Sequence, residues 1–99
     1  MKYPIDAEQF IAEMRAETGT KESTEEIYRI FCIPAINKAY LDGKAGKSGY
    51  PKDPAIEIAA FEKVKGPLRD GSKRFITDVI CCANSAYIQG RQDAKEAAR

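Results

Sequence analysis

The residue types that usually carry catalysis are sparse in this chain. It contains no histidine, the side chain that most readily exchanges protons near neutral pH. No serine, threonine or cysteine can be matched to a base that would activate it as a nucleophile. We therefore expect a non-enzymatic protein with no catalytic residue. An enzyme whose site consists of carboxylates alone is the remaining enzymatic alternative.

The three cysteines, Cys32, Cys81 and Cys82, do not form a metal-binding or redox motif. No C-x-x-C spacing is present. Adjacent helical residues point about 100° apart, so Cys81 and Cys82 cannot readily bind one tetrahedral metal ion. The sequence predicts reduced, buried thiols, with no metal site and no cofactor.

Residues 46–48, Gly-Lys-Ser, have the composition of the end of a phosphate-binding P-loop. That motif needs a glycine at position 41, where this chain has Leu41, and it must lie between a strand and a helix. Here the tripeptide follows a predicted helix and leads into Tyr50 and Pro51. We reject a P-loop on these grounds.

Basic residues are the remaining candidates for binding. The net charge is only +1, which gives no long-range attraction to nucleic acid or anionic lipid. The charges are unevenly placed, however. Residues 6–26 carry seven acids, whereas residues 63–74 carry five bases and one acid, Asp70. The candidate partner-binding residues are Lys44, Lys47, Lys52, Lys63, Lys65, Arg69, Lys73, Arg74 and Arg91.

The most specific local pattern is N-x-A-Y-[LI]-x-G, which occurs at residues 37–43 and again at 84–90. One interpretation makes Asn37, Tyr40, Asn84 and Tyr87 a pair of polar pockets. The other is structural: each tyrosine packs over a helix surface cleared by the glycine three residues later, and each asparagine satisfies a backbone group. We favour the structural interpretation.

The pattern belongs to a longer repeat with a period of 47 residues. Overlaying the chain on itself at this offset, without a gap, gives eleven identical positions in 52 pairs. They fall on predicted helix caps, helix ends and apolar faces, which a shared fold would keep. The sequence therefore predicts a tandem duplication of residues 3–43 and 50–90.

We predict two helices in each copy. In the first copy, a helix runs from the N-cap Asp6 to about Thr18. A second begins at the N-cap Ser23, is kinked or restarted at Pro34 and is ended by Gly43. In the second copy, a helix runs from residue 53 to about 65, and the last runs from near residue 70 or 72 through residue 90 almost to the C-terminus.

These elements predict an all-α protein, a single domain over residues 1–99 built as a four-helix bundle with a pseudo-twofold axis. We find no apolar run long enough to span a membrane and no signal peptide, so we expect a cytoplasmic protein.

A well-capped bundle with separate acidic and basic regions suits docking onto a larger protein. The predicted function is an adaptor or inhibitor, of the kind found among accessory and anti-defence proteins of phages and mobile elements. The alternative is weak nucleic-acid binding through residues 63–74 and the loop 44–52. A ridge of small residues on the last helix should receive the first or third helix and offers a possible homodimer surface: Cys82, Ala86, Gly90, Ala94 and Ala98.

Overall fold

The computed structural model describes residues 2–98 and has four helices with no strand in that range. Helix α1 is Ala7–Thr18. Helix α2 covers residues 22–44 as three consecutive segments, Glu22–Ile27, Tyr28–Cys32 and Ile33–Lys44. Helix α3 is Pro54–Lys65 and helix α4 is Asp70–Ala97. The prediction of an all-α fold with four helices is confirmed.

The ends of α1 and α3 follow from their capping residues. The Asp6 carboxylate accepts a hydrogen bond from the backbone N–H of Gln9, and the Asp53 carboxylate accepts one from Ala55. These contacts satisfy N–H groups that have no partner within a helix. Gly19, at φ 63°, ends α1 in the left-handed conformation that glycine adopts without steric cost.

Helix α2 begins before the predicted cap. Ser23 lies inside the helix, which starts at Glu22 with Lys21 as an N-cap that makes no side-chain hydrogen bond. The backbone N–H of Glu25 already donates to the carbonyl of Lys21. The prediction of Ser23 as N-cap was wrong: Glu26, the residue three positions later that would complete a capping box, instead accepts a hydrogen bond from Arg29 at 2.9 Å.

Pro34 is accommodated without ending α2. The preceding segment, Tyr28–Cys32, is a π-helix, in which the N–H of Ile33 reaches the carbonyl of Tyr28 five residues earlier. Proline has no N–H, and its ring meets the carbonyl four residues before it. Because a π-turn is wider than an α-turn, it makes room for the ring, and the helix continues to Lys44.

The core lies mainly between α2 and α4, which run in the same direction. Near their beginnings the rings of Tyr28 and Phe75 are 5.8 Å apart, and near their ends Gly43 lies against the backbone of Tyr87. The residues buried between them form one cluster: Cys32, Ile36, Tyr40, Val79 and Ala86. Among described residues, Ile11 is the buried core residue of α1, and α3 has none. Four helices therefore contribute unequally to this core.

Two glycines allow α2 and α4 to approach at backbone distance. A Cβ at Gly43 would overlap the carbonyl oxygen of Tyr87, and one at Gly90 would overlap that of Tyr40. Ala39 and Ala86, one turn earlier, are completely buried. Gly43 therefore does not end its helix, which reaches residue 44. Each glycine clears space for the tyrosine-bearing turn of the other helix, rather than for the tyrosine of its own.

The small-residue ridge of α4 is occupied by α2, not by α1 or α3 as predicted. Ala86 and Gly90 are buried, Ala94 is half-buried, and Cys82 and Ala98 are exposed. A homodimer across the whole ridge would have to displace α2 from Ala86 and Gly90.

The prediction of three buried thiols was wrong for two of them. Cys32 is buried, whereas Cys81 and Cys82 are exposed, and all three are free. Cys81 and Cys82 face outward because the buried positions of this part of α4 are Val79, Ile80 and Ala83. The protein measures 45 × 35 × 15 Å, and among its described residues we find no helix with the length and apolar character needed to cross a membrane.

Candidate functional site

The repeated asparagines and tyrosines hold the segments that precede α1 and α3. Asn37 accepts a hydrogen bond from the N–H of Ile5 at 2.7 Å and donates to the carbonyl of Ile5 at 2.9 Å. Asn84 makes the same two bonds with Lys52, both at 2.9 Å. Tyr3 stacks on Tyr40, and Tyr50 stacks on Tyr87, with ring centroids 5.1 and 4.2 Å apart. The asparagine bonds are those that the structural interpretation of the motif predicts, whereas the tyrosines stack on Tyr3 and Tyr50 rather than over the glycines of their own helices.

An ion pair joins α1 to α2. Arg15 donates two hydrogen bonds to the carboxylate of Glu25, at 2.6 and 2.9 Å, and Thr20 donates a third at 2.8 Å. The Glu25 side chain is buried, and these donors lower its pKa to about 2, Arg15 having the largest effect. The acid is fully engaged within the chain and serves to position α1.

Asp42 anchors the glycine-rich loop that follows α2. Its buried carboxylate accepts hydrogen bonds from Lys38 at 2.7 Å and from the Tyr50 hydroxyl at 2.8 Å, and these bonds lower its pKa. The N–H of Lys47 donates to the Asp42 carbonyl, and the Tyr87 hydroxyl donates to the Lys47 carbonyl. The loop is therefore attached to both long helices.

The nine candidate basic residues fall into separate groups. Lys44 and Arg91 line a shallow depression where α2 and α4 end, together with Lys95, which the sequence interpretation did not include. Lys47 lies 3.8 Å from the Asp42 carboxylate. The ammonium group of Lys52 lies 5.4 Å from the centre of the Tyr50 ring.

The other five bases surround the turn between α3 and α4: Lys63, Lys65, Arg69, Lys73 and Arg74. Lys73 is half-buried and lies 3.9 Å from Glu62, and the other four are exposed. The rise of a helix separates Arg74 from Arg91 by roughly 26 Å along α4. The nine residues therefore do not form one continuous surface, and the basic turn and the basic helix ends are distinct.

An apolar groove lies beside the basic turn and is the main surface feature that the sequence interpretation missed. It has a volume of about 530 Å³ and is bounded by α2, α3 and the first turns of α4. Three phenylalanines lie at its base: Phe31 is 5.9 Å from Phe61 and 6.3 Å from Phe75, measured between ring centroids. The remaining lining residues are Ile27, Ile30, Lys65, Leu68, Gly71, Ser72 and Ile76.

Large apolar side chains are exposed on both α2 and α3. Ile27 and Ile30 on α2 are 45% and 65% exposed. On α3, Ile56 and Val64 are 67% and 83% exposed, although isoleucine and valine are among the residues most often buried. We call the groove-lining residues the apolar surface; Ile56 and Val64 do not line the groove, and at about 100° per residue Ile56 lies about 140° around α3 from the lining residue Phe61.

Several residues 47 positions away from this surface are polar, although Phe61 corresponds to Met14 and Phe75 to Tyr28. Ile27 and Ile30 correspond to Arg74 and Thr77, and Phe31 corresponds to Asp78. The exposed side of α3 carries Ile56, Ala59, Ala60, Lys63 and Val64, whereas the exposed side of α1 carries Gln9, Ala12, Glu13, Ala16 and Glu17. The helix geometry does not require apolar side chains at these positions, because α1 folds with polar ones.

A second concavity, of about 420 Å³, lies between the N-terminal segment, α2 and α4. Its ionisable lining residues are Tyr3, Tyr28, Cys32, Asp78, Cys81 and Cys82. Burial raises the pKa of Cys32 to about 11, and the neighbouring Cys82 adds to this shift. Burial also raises the pKa of Tyr28. Cys32 therefore stays protonated at neutral pH, unlike a cysteine activated as a nucleophile.

A sequence signal for the groove was present in α2. Helix α2 has more apolar residues than one buried face requires, since Ile27 and Ile30 lie outside the line of buried positions that includes Cys32, Ile36 and Tyr40. A surface helix usually has one apolar stripe, and a helix apolar on several sides is usually covered on several sides. The additional apolar residues of α2 therefore indicated that this helix contacts something other than the core.

Comparisons with known proteins give no significant match to a family model, to a curated protein or to a solved structure. The fold and its surfaces define the class of the chain as an all-helical protein with an exposed apolar groove.

Proposed function

We propose that the protein binds a larger protein partner, as an adaptor or an inhibitor, through the apolar surface. The observation that carries the proposal is the exposure of Ile27 and Ile30 above a base of three phenylalanines. Contiguous exposed apolar surface marks sites of protein association, and aromatic side chains in desolvated pockets supply much of the binding energy at such sites.

The contrast with the positions 47 residues away supports this choice of surface. The fold tolerates Thr77 at the position that corresponds to Ile30 of the apolar surface, and Glu17 at the position that corresponds to the exposed Val64 of α3. Exposed apolar side chains that the core does not need are explained by a partner that covers them.

The proposal is tested by capturing partners from the cells that make the protein. Tagged wild-type chain should retain a stoichiometric partner, and Ile30→Asp should lose it, because the substitution removes apolar contact area and binding would have to desolvate a carboxylate. Ile88→Asp is the matched control, since Ile88 has a similar exposure of 57% but lies on α4 outside the groove.

Both variants should unfold at the wild-type urea midpoint, because surface substitutions change stability by about 0.5 kcal/mol or less. Retention of the same partner by Ile30→Asp would exclude the groove as its binding site. Capture of nucleic acid alone, lost at high salt, would instead favour the basic turn as a phosphate-binding surface.

We also propose that the chain arose by tandem duplication of residues 3–43 and 50–90, with a pseudo-twofold axis between α2 and α4. Three pairs of contacts at the same 47-residue offset support this: the asparagine bonds, the stacked tyrosines and the reciprocal approach of Gly43 and Gly90. In this proposal the two copies diverged at the apolar surface, where one side of the molecule has apolar residues and the corresponding side has polar ones.

A further inference from the structure

We infer that the groove receives an amphipathic helix of the partner whose apolar side is bordered by acidic residues. This inference rests on the proposed function and specifies what occupies the site. The residues that carry it are the groove walls on α2 and α3 and the bases of the turn between α3 and α4.

The form of the occupant follows from the groove walls. Apart from Leu68 in the turn between α3 and α4, the residues that line the groove belong to helices, and residues 2–98 contain no strand to whose edge an extended peptide could add. Backbone N–H and C=O groups within helices are already paired with one another. Recognition must therefore come from side chains that enter the groove, as when a helix places residues i, i+3 or i+4, and i+7 into an apolar channel.

The charge of the occupant follows from the groove border. Lys65 lines the groove, and Arg69 lies in the turn between the lining residues Leu68 and Gly71. Two acids lie near them in the sequence: Glu62 on α3, which already accepts a hydrogen bond from the N–H of Leu68 at 3.0 Å, and the exposed Asp70, the first residue of α4. Neither Lys65 nor Arg69 has an ion-pair partner within 4.0 Å among the described residues. This border favours acidic side chains and disfavours basic ones.

The same charges argue against a second copy of this chain as the occupant. Two copies related by a twofold axis through the groove would place their basic turns next to each other, which is unfavourable. The acidic helix α1 of another copy would match the charge. Its exposed side, however, carries Gln9, Glu13 and Glu17 and offers no large apolar side chain to fill the groove.

The test is a selection of peptides rather than a search for one natural partner. A phage-displayed library of random peptides about 15 residues long, enough for four helical turns, is selected against the full chain. We expect enrichment of apolar residues with i, i+3 or i+4, i+7 spacing, together with Asp and Glu at the flanking positions. The leading peptide, made synthetically with a fluorescent label, should gain helical circular dichroism on binding.

Two sets of variants then locate the peptide. Ile30→Asp should abolish binding of the labelled peptide. The double variant Lys65→Glu/Arg69→Glu should weaken it about tenfold or more, because like charges would meet across the border. Lys44→Glu/Lys95→Glu makes the same change of net charge at the other end of the long helices, and it should alter the affinity by less than about twofold.

Several results would overturn the inference. These are enrichment of basic or non-periodic peptides, failure to obtain any peptide whose binding depends on Ile30, or equal effects of the two double variants. If the natural partner is still lost in Ile30→Asp, such a result removes the acidic helix as occupant and leaves the proposed function standing. If Ile30→Asp retains the natural partner, the proposed function itself fails.

Discussion

The groove side of the molecule and the residues 47 positions away occupy corresponding places along the helices, yet their chemistry differs. Where α2 exposes Ile27 and Ile30, α4 has Arg74 and Thr77. Where α3 exposes Val64, α1 has Glu17. Several inward contacts, in contrast, recur on both sides, among them the two hydrogen bonds that each repeated asparagine makes with a backbone.

This difference separates what maintains the fold from what is free to vary. Contacts between α2, α4 and the segments before α1 and α3 recur because each of them removes polar or apolar groups from water in a fixed geometry. Exposed positions carry no such requirement, so an apolar residue there needs another explanation. Four substitution experiments test this distinction between contacts that maintain the fold and positions that are free to vary.

The largest effect is expected at the paired glycines. Gly43→Ala and Gly90→Ala should each lower the free energy of unfolding by about 3 kcal/mol, because the added methyl group meets backbone atoms of the opposite helix that cannot rotate away. Urea denaturation measures this. Gly71→Ala is the control: a Cβ there meets nothing within 4 Å, so it should stabilise α4 by about 0.5–1 kcal/mol. A tolerated alanine at either position 43 or 90 would mean that the two helices are not in backbone contact.

The paired asparagines should give the next largest effect. Asn37→Ala and Asn84→Ala each leave one partly buried N–H and one C=O without a partner, so each should cost about 1–3 kcal/mol. Asn37→Asp and Asn84→Asp keep the acceptor but lose the donor, and they should cost less. Unequal costs for the two alanine variants would show that the matched contacts do not have matched roles.

The third prediction concerns a contact present on one side only. The pKa of Glu25 is lowered from 4.5 to about 2 by Arg15 and Thr20. Its ionised form therefore stabilises the folded chain fully above pH 4.5, and this contribution is lost as the pH falls toward about 2. Glu25→Gln should be less stable than wild type at neutral pH, and the difference should shrink across this interval.

Thermal unfolding monitored by circular dichroism at a series of pH values measures that difference. The corresponding position on the other side is Ser72, which carries no charge, so the difference in stability between Ser72→Ala and wild type should not change over the same pH interval. A constant gap between Glu25→Gln and wild type from pH 7 to pH 2 would contradict the assignment to this ion pair.

The smallest effect on stability is expected on the exposed sides of α1 and α3. Ile56→Gln and Val64→Glu give α3 the residues that α1 carries at the corresponding positions, Gln9 and Glu17. Both should change the free energy of unfolding by about 0.5 kcal/mol or less in urea denaturation. A loss of more than 2 kcal/mol, well beyond that range, would show that these side chains belong to the core and not to a binding surface.

Much of the secondary structure could be predicted because its signals are local. The caps at Asp6 and Asp53, the left-handed Gly19 and the long last helix follow from residues within one turn of each boundary. The start of α2 could not be predicted in this way. Ser23 is followed three residues later by Glu26, which is the spacing of a capping box, yet the helix starts at Glu22. Within its first turn, Glu25 is held by Arg15, ten residues earlier, and by Thr20.

The candidate site was predicted less well. The bases around the α3–α4 turn were identified by composition, and Lys65 does border the groove. The groove itself was missed because its lining comes from α2, α3 and α4, and periodicity within one helix cannot show which apolar residues a neighbouring helix leaves uncovered. Lys44 and Arg91 were grouped with the turn by charge alone, and they lie at the other end of the long helices.

By itself, the sequence determined the all-helical class, the number of helices, most of their ends and the residues that recur at an offset of 47. Each of these depends on backbone hydrogen bonding and side-chain periodicity over a few turns. Tertiary structure alone decided that α2, and not α1 or α3, packs on the small residues of α4, with Gly43 and Gly90 at the closest approach. It also decided which apolar side chains remain in contact with water, because burial depends on the relative placement of whole helices.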